Sequence, residues 1–249
     1  MDNFYDQLAP LYHLIYQDWN ASIARQGTQL SDIISAEWPG SKRICDVSCG
    51  IGTQSLGLAL QGYSVVGTDI SPNAVRRAQQ EAAQRGASVE FSVGDMRRTG
   101  ELRGIAPDVV ISCDNSMPHL LTDADLLLAF AQMRDCLSMG GGCLISVRDY
   151  DQEARGRHIV KPYGVRIENG KRYLIFQVWD FEGDQYDVTF FFVEEDLSTL
   201  SVRTHVMRSR YYAVSISTLI TLMRRAGFAN VRRIDHAFHQ PVLVGTKAA

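Results

Sequence analysis

The most constraining feature of this 249-residue sequence is a short apolar segment that runs directly into a turn containing two glycines. The segment KRICDVSC has the character of a short buried strand, and Gly50 and Gly52 follow it. The next segment, TQSLGLALQG, predicts a helix that ends at Gly62. A strand, a tight glycine turn and a helix in this order form the first half of a βαβ unit. The pattern therefore predicts a parallel sheet with ligand-binding turns at one edge.

The alternation of strand-like and helical segments continues to about residue 150. The segments YSVVGTD, VEFSVGD, PDVVISC and CLISVRDY predict four further strands. Between them lie a helix with Ser71 as its N-cap and Gly86 as its stop, and a second helix over about 123–138. Such alternation gives right-handed crossovers, so we expect a doubly wound, mostly parallel sheet that helices cover on both faces.

Residues 160–212 break this alternation. They read as successive antiparallel strands, with a turn signal at Asn169–Gly170, and a helix over 215–226 and a strand near Val242–Thr246 follow them. We predict one α/β domain made of four parts: helical segments at 1–38, a core at 40–150, an antiparallel insertion at 156–212, and a final helix and strands at 213–249.

Composition limits the partners and the cellular location that we expect for this protein. A formal charge of −3 with 21% charged residues, and no long Lys/Arg block, disfavours a nucleic-acid partner. The N-terminal MDNFYDQL lacks the apolar region of a signal peptide, and no stretch approaches the ~20 apolar residues of a membrane helix, so we expect a cytoplasmic protein. The five cysteines lack CxxC spacing, which predicts reduced, buried thiols and no metal site.

Acidic residues at the predicted strand ends indicate what the glycine turn binds. Gly50 and Gly52 lack the Cβ atoms that would keep a ligand from the backbone, and Asp69 is placed to accept hydrogen bonds from a ribose diol. A dinucleotide-binding turn would carry a third glycine where this chain has Ser55. Asp46, at the mouth of the turn, would repel a diphosphate but suit an ammonium group. This combination favours S-adenosylmethionine as the ligand.

Two further strand ends agree with that ligand. Asp95 follows the third strand and can accept a hydrogen bond from an adenine amine, while Met96 can pack on the ring. Cys113, Asp114 and Asn115 follow the fourth strand, beside the expected position of the methyl group. Each acid could instead cap a helix or a turn, but that alternative weakens when all four strand ends carry polar residues.

Over residues 40–150 the sequence resembles the class I S-adenosylmethionine-dependent methyltransferases, and most of all the glycine and glycine/sarcosine N-methyltransferases. The resemblance is carried by DVSCGIGTQSLGLALQGYSVVGTDIS, DVVISCDNSMPHL and GGGCLISVRDYD. It implies a seven-stranded Rossmann-like sheet, S-adenosyl-L-methionine as cofactor with S-adenosyl-L-homocysteine as product, and a small-molecule acceptor. We expect a monomer or homodimer without a nucleic-acid or membrane partner. Residues 160–210 match poorly, so the acceptor need not be glycine.

The strand-end pattern and the resemblance together give expected roles for individual residues. The expected cofactor-binding residues are Tyr16, Trp19, Arg25, Asp46, Ser48, Gly50, Gly52, Asp69, Ile70, Asp95, Met96, Cys113 and Ser116. The expected catalytic residues are Asn115 near the acceptor amine, His119, and Arg148, which would hold a substrate carboxylate. The expected acceptor-binding residues are Tyr5, Tyr12, Asn115, Arg148 and Tyr211.

Several of these roles have alternatives in the sequence. Arg148 could form a salt bridge with Asp149 or Asp151, and His119 could serve as a helix cap or a cofactor ligand instead of taking a proton. The aromatic residues of the N-terminal helices could pack in the core, although in this superfamily such helices commonly cover the cofactor, and aromatic faces suit a sulfonium.

The expected chemistry demands alignment more than reactive side chains. A sulfonium is an activated methyl donor, so in-line positioning of a neutral nucleophile and exclusion of water are the main requirements. The Asn-Pro-Pro-Tyr type signature of base-methylating DNA enzymes is absent, since CDNSMPHL stands at that position. The leading hypothesis is transfer to a nitrogen of a small molecule. The alternatives are an O- or C-methyltransferase of a secondary metabolite and a non-catalytic S-adenosylmethionine-binding subunit.

Overall fold

The computed structural model describes residues 4–99, 104 and 106–248, and its chain begins with three helical segments. Helix α1 spans Phe4–Leu8, a 3-10 turn spans Tyr12–Ile15, and α2 spans Trp19–Glu37. Pro10 lies between the first two, where the sequence predicted a break. Helix α2 begins after Asp18, whose side chain accepts a hydrogen bond from a backbone N–H of the first turn. Residues 1–3 of the predicted helical part lie outside the described residues.

The remaining elements of the described residues follow in chain order. The strands are β1 (Arg43–Asp46), β2 (Ser64–Asp69), β3 (Val89–Val93), β4 (Val109–Ser112), β5 (Gly142–Ser146), β6 (Ile159–Glu168), β7 (Lys171–Glu182), β8 (Gln185–Asp196), β9 (Val202–Tyr212), β10 (Phe228–Ile234) and β11 (Val242–Lys247). The helices are α3 (Thr53–Leu60), α4 (Pro72–Arg85), α5 (Asp123–Cys136) and α6 (Ile216–Arg225). A 3-10 turn at Met117–His119 follows β4.

A seven-stranded sheet forms the centre of the fold, with the strand order β10-β11-β5-β4-β1-β2-β3. Strands β1 to β5 pair in parallel, whereas β11 is antiparallel to both β5 and β10. Strands β1, β4 and β5 are almost wholly buried, as expected for a sheet covered on both faces. The predicted doubly wound, mostly parallel sheet is confirmed. A helix and strands were predicted over 213–249 with only the strand near Val242–Thr246 located; in the structure β10 lies between α6 and that strand, β11.

Close backbone contact holds the first helix of the sheet in place. A Cβ atom built on Gly27 of α2 would lie 2.4 Å from the carbonyl oxygen of Gly57 in α3, and one built on Gly57 would lie 2.5 Å from the carbonyl oxygen of Ile23. Only glycine at both positions permits this approach. The glycine turn between β1 and α3 is therefore braced from behind by α2, the helix that continues from the N-terminal segments.

The second sheet is antiparallel, with the order β6-β7-β8-β9, and it confirms the predicted insertion after β5. Asn169 and Gly170 both have positive φ and form the hairpin turn between β6 and β7, as their sequence predicted. One face of this sheet packs on α1 and on the core; its buried side chains include Tyr173, Ile175, Trp179, Tyr186, Phe190 and Phe192. Within the described residues, the longest helices are too short or too polar to cross a membrane.

Candidate active site

The carboxylate of Asp69 fixes the glycine turn after β1 by a hydrogen bond. Gly50 and Gly52 have φ of 53° and 95°, a region that side chains disfavour. One Asp69 oxygen accepts a hydrogen bond from Gly50 N (2.8 Å) and the other accepts one from Ser71 N (2.9 Å). Burial raises the pKa of Asp69. Asp69 therefore joins the ends of β1 and β2 into one rigid rim.

Asp46, which the sequence placed at the mouth of the turn, lies behind it. Its side chain is only 1% exposed and accepts hydrogen bonds from Ser55 Oγ (2.7 Å) and Ser48 N (3.2 Å). Burial raises the pKa of Asp46 to about 7. Both of its oxygens thus shape the turn, and it is Val47 and Ser48 that border the adjoining cavity.

A cavity of about 770 Å³ lies against these strand ends. The residues that the sequence assigned to the cofactor and that line this cavity are Ser48, Gly50, Asp69, Ile70, Asp95, Met96 and Ser116. Asp95 is bound by Arg97 (2.7 Å), whose guanidinium also reaches Asp125 (3.1 Å). The hydrogen bond from Arg97 lowers the pKa of Asp95, so this acid stays ionised. The sequence analysis missed Arg97 and Asp125, although Arg97 stands two residues after a predicted ligand.

Other predicted cofactor residues lie away from this lining. Trp19 is buried and donates a hydrogen bond to Thr53 Oγ1 (2.9 Å) in the first turn of α3. Arg25 is exposed on α2 and donates to Ser22 (3.1 Å). Tyr16 donates to Asp114 (3.0 Å). The members of the predicted set that are outside the cavity lining are Tyr16, Trp19, Arg25, Asp46, Gly52 and Cys113.

A second, smaller cavity of about 70 Å³ lies beyond the end of β4 and is called the acceptor chamber below. Asp114 and Asn115 both border it and both have positive φ, 59° and 67°. Asn115 donates from Nδ2 to the Tyr150 hydroxyl (2.8 Å) and accepts at Oδ1 from Arg148 N (3.0 Å). These bonds hold two strained residues at the junction of β4 and β5, a conformation that costs free energy and is typical of functional sites.

Arg148 lines the acceptor chamber, as predicted from its position after β5. Its Nη1 donates to Glu153 (2.9 Å), and its guanidinium lies 4.9 Å from the centre of the Trp179 ring. Burial opposes the charge, but the hydrogen bond to Glu153 prevails and raises the pKa of Arg148. Among the described residues, Arg148 Nε is buried without a hydrogen-bond partner. The acid beside Arg148 is therefore Glu153, and Asp149, which the sequence had suggested, pairs with Arg233 (2.8 Å).

His119 lies at the boundary between the two cavities. Its Nε2 is 2.6 Å from the Tyr5 hydroxyl, and its ring centre is 4.0 Å from that of Tyr211. Burial lowers the pKa of His119 to about 4. The ring is neutral at pH 7, so Nε2 can accept a hydrogen bond from the Tyr5 hydroxyl. A base this weak, already facing a hydroxyl, is poorly suited to remove a proton from an acceptor at neutral pH.

The N-terminal segments border both cavities. Phe4, Tyr5 and Tyr12 border the large cavity as well as the acceptor chamber. Asp6 fixes this segment, because one of its oxygens accepts hydrogen bonds from Ser71 Oγ (2.5 Å) and Asn73 N (3.0 Å) at the start of α4. The sequence analysis predicted Tyr5 and Tyr12 as acceptor-binding residues but did not identify Asp6.

Comparison with known proteins identifies the class of this site. Residues 44–141 match the family model described as a methyltransferase domain. A glycine/sarcosine N-methyltransferase of Parasynechococcus marenigrum (strain WH8102) is 30% identical over 154 residues, which cover 62% of this chain and 54% of that protein. Across three curated relatives the chain spans about half of their length, between 43% and 54%. Other relatives, named uncharacterized RNA methyltransferases, match 34% of this chain or less.

Solved structures share the whole fold. Streptomyces venezuelae DesVI superposes with a TM-score of 0.83 at 20% identity and covers 96% of this chain and 98% of its own. The S-adenosylmethionine-bound CalS10 from Micromonospora echinaspora, an amino pentose methyltransferase, gives a TM-score of 0.78 at 19% identity and covers 91% of this chain and 92% of its own.

The strand order, the glycine turn and the cavity at the strand ends define a class I methyltransferase fold. Residues 44–141 match a methyltransferase domain, and the whole chain shares its fold with solved methyltransferases, one of which binds S-adenosylmethionine. The residues fit that cofactor, since Asp69 and the backbone at Gly50 are polar where a ribose and an amino acid group require it. Ile70 and Met96 supply apolar surface to the same cavity.

Proposed function

We propose that this protein transfers a methyl group from S-adenosylmethionine to a nitrogen atom of a small molecule. The observation that carries this proposal is the acceptor chamber, which adjoins the cofactor cavity and combines aromatic walls with an ionised acid. Its aromatic side chains are Phe4, Tyr5, Tyr12, Tyr163, Trp179, Tyr186, Phe190 and Tyr211. A methylated amine carries positive charge, and aromatic faces stabilise such a cation.

Asp114 adds a negative charge to the same chamber. Burial alone would raise its pKa, but hydrogen bonds from His239 and Tyr16 prevail and lower it. An ionised carboxylate can accept an N–H hydrogen bond from a neutral amine and stabilise the charge that develops on nitrogen. An oxygen or carbon acceptor gains less from this arrangement, because its product is neutral once a proton is lost.

The chain contributes alignment and exclusion of water. S-adenosylmethionine supplies the activated methyl group. Tyr5 and Tyr12 separate the chamber from solvent, and Asn115 is pinned at its entrance by Tyr150 and by the Arg148 backbone. Fixing the acceptor in line with the methyl group reduces the entropic part of the barrier. The unpartnered Arg148 Nε is available to a hydrogen-bond acceptor elsewhere on the substrate, such as a carboxylate or hydroxyl oxygen.

Two of the similar proteins support a small acceptor that bears nitrogen. One relative is named a glycine/sarcosine N-methyltransferase, and one structural neighbour is described as an amino pentose methyltransferase. The four-stranded sheet and α1 contribute walls to this small chamber, which favours a small molecule over a nucleic acid.

The test is an incubation with methyl-labelled S-adenosylmethionine and matched panels of amino acids, amino sugars, phenols and hydroxylated sugars. We expect label in at least one amine, attached to nitrogen when the product is analysed by mass spectrometry and NMR. Asp114→Asn should lower that transfer more than Asp151→Asn, an exposed acid outside both cavities. Transfer to oxygen or carbon alone would replace the nitrogen assignment, and cofactor binding without any transfer would favour a non-catalytic subunit.

A further inference from the structure

The outer face of the four-stranded sheet is apolar and open. Strand β7 directs Tyr173 and Ile175 into the protein, so the intervening positions point to the opposite face. On that face Ile167 is 70% exposed and Leu174 is 46% exposed. Val160 and Val202, on the two edge strands, are 58% and 63% exposed. Among the described residues, the helices that touch this sheet lie against its inner face or its β9 edge.

Such a face is unusual for a sheet whose outer side is exposed to solvent. An antiparallel sheet with one wet face alternates apolar and polar residues along each strand. Here the outward positions of the two central strands carry large apolar groups as well. Phe176 on β7 and Phe191 on β8 are cross-strand partners whose rings stack with centres 4.8 Å apart. This pattern is typical of a sheet that is buried on both sides.

We propose that a second copy of this chain packs on the outer face, so that the two four-stranded sheets form a sandwich about a two-fold axis. Two sheets of this kind pack about 10 Å apart, and their apolar side chains interdigitate. A self-complementary patch on both subunits is the arrangement of most homodimers.

The size of the face fits this occupant. Four strands spaced about 4.8 Å apart, with roughly ten residues each at about 3.3 Å, present roughly 600 Å² of flat surface. Two copies would then bury at least about 1,200 Å² in total, the lower bound for a stable, specific interface. The apolar part of this face is its centre, around Leu174 and Phe176, and contiguous exposed apolar surface on a soluble protein marks interaction sites.

The charges at the ends of the face also permit self-association. Arg172 pairs with Glu195 at one end, and Arg210 pairs with Asp187 (2.7 Å) near the other. Because Arg172 and Arg210 already have their anions within the same chain, burial beside a second copy leaves neither as a lone charge. Arg208, which lies on the same face opposite Thr189, would have to remain at the solvated rim of the interface. The inner face of the same sheet contributes Trp179 and Tyr186 to the acceptor chamber, so dimerisation would also stiffen one wall of that chamber.

The test is sedimentation equilibrium of the full chain between about 1 and 100 µM, a range that reveals a micromolar dissociation constant. We expect a mass twice the 27.8 kDa of one chain. The variant Val165→Asp/Leu174→Asp changes one cross-strand pair and would bury two additional carboxylates of each subunit in the dimer interface. It should raise the dimer dissociation constant at least tenfold, while Leu60→Asp, on a different exposed surface, should not.

Circular dichroism and melting curves check that each variant is folded. If the double variant does not fold, Ile167→Lys gives the same test at the most exposed apolar position of the face. A wild-type protein that sediments as a single chain throughout the range would overturn the proposal. So would a folded outer-face variant that dimerises as tightly as wild type, or a Leu60→Asp control that dissociates equally.

Discussion

The cofactor cavity and the acceptor chamber adjoin one another but are built in different ways. The cofactor cavity is assembled from turns that directly follow parallel strands, and its polar groups include Asp69 and the backbone at Gly50. The acceptor chamber draws Tyr12, Asn115, Arg148 and Tyr186 from four separate parts of the chain. The cofactor cavity is thus lined mainly by local turns of the core, whereas the acceptor chamber combines the ends of β4 and β5 with the N-terminal segments and the four-stranded sheet packed on that core.

The largest expected effect concerns the cofactor cavity. Asp69→Ala removes the carboxylate that holds Gly50 N and Ser71 N and that we expect to bind the ribose. Hydrogen bonds that involve a charged group contribute about 1.5–3 kcal/mol, so S-adenosylmethionine affinity should fall about 10- to 150-fold in calorimetry. Asp151→Ala, an exposed acid, is the matched control. Unchanged affinity in a folded Asp69→Ala protein would contradict the assignment of Asp69 as the residue that binds the ribose.

The second effect should appear on the acceptor side only. Arg148→Lys keeps the positive charge but loses the planar guanidinium, including the buried Nε and the contact with Trp179. We expect kcat/KM for the acceptor to fall about 10- to 30-fold, which corresponds to the loss of one or two hydrogen bonds. The dissociation constant of the cofactor should stay within about twofold, a change of less than ~0.5 kcal/mol.

Arg155→Lys is the control for that substitution. Arg155 also pairs with an acid, Asp184, and lies over an aromatic ring, Phe181, but it borders neither cavity. Its variant should retain acceptor kinetics. If Arg148→Lys lowers cofactor binding and melting temperature together while kcat/KM per folded enzyme is unchanged, Arg148 is a structural partner of Glu153 and not an acceptor ligand.

The same contrast explains what the sequence could reveal. Gly50, Asp69 and Asp95, which the sequence assigned to the cofactor, line the cavity because each lies at or just after the end of a recognisable strand, and parallel strands end at one edge. Asp46 also lies at the end of a strand, but its side chain points into the protein and accepts hydrogen bonds from Ser55 Oγ and Ser48 N. A strand end is visible in the sequence, whereas the side to which its last residue points is not.

The acceptor side was less accessible to sequence reasoning. Glu153 and Trp179 reach Arg148 only because the four-stranded sheet folds back over the end of β5. No local pattern in 160–212 indicates which residues of an alternating strand will face a cavity and which will face the core. Strand β10 was missed for a related reason, since its outward positions include Arg232 and Arg233 and its register with β11 shifts between Ala229 and Arg232.

The third prediction concerns the boundary between the two cavities. The pKa of His119 is about 4 in the folded protein and about 6.5 when unfolded. Because the unfolded chain binds the proton more tightly, this residue contributes stability that is full above about pH 6.5 and is lost as pH falls towards 4. Asp46, with its pKa raised to about 7, contributes the opposite slope between about pH 4 and 7. In the wild-type protein, the pH dependence of the free energy of unfolding therefore combines these two opposite contributions.

A variant isolates the histidine contribution. His119→Gln keeps a hydrogen-bonding group near Tyr5 but cannot be protonated, so its free energy of unfolding should fall less than that of wild type between pH 6.5 and 4.5. We expect the difference between the two proteins to change by about 1 kcal/mol over that window, less than the full pKa shift allows because the ring is only partly buried. Urea unfolding at several pH values measures it, and parallel pH profiles for the two proteins would contradict a buried neutral ring.

The smallest expected effect tests how the two cavities are closed together. Asp6 ties α1 to the start of α4 through Ser71 Oγ and Asn73 N, and α1 carries Tyr5, which borders both cavities. Asp6→Ala removes these bonds at the protein surface, where each contributes about 0.5–1.5 kcal/mol. We expect S-adenosylhomocysteine to dissociate about 3- to 10-fold faster in stopped-flow measurements, because a looser segment opens more often.

Hydrogen exchange separates this closing role from simple helix stability. In wild type, S-adenosylhomocysteine should slow exchange across residues 4–25, and Asp6→Ala should weaken that protection without altering it around Gly50. Asp18→Ala is the matched control, since Asp18 lies in the same N-terminal region but its side chain caps α2 by accepting a hydrogen bond from Ala21 N. Protection confined to residues 46–116 in wild type would show that the N-terminal segments do not close over the cofactor. In that case the acceptor chamber alone would depend on α1, and the two cavities would open independently.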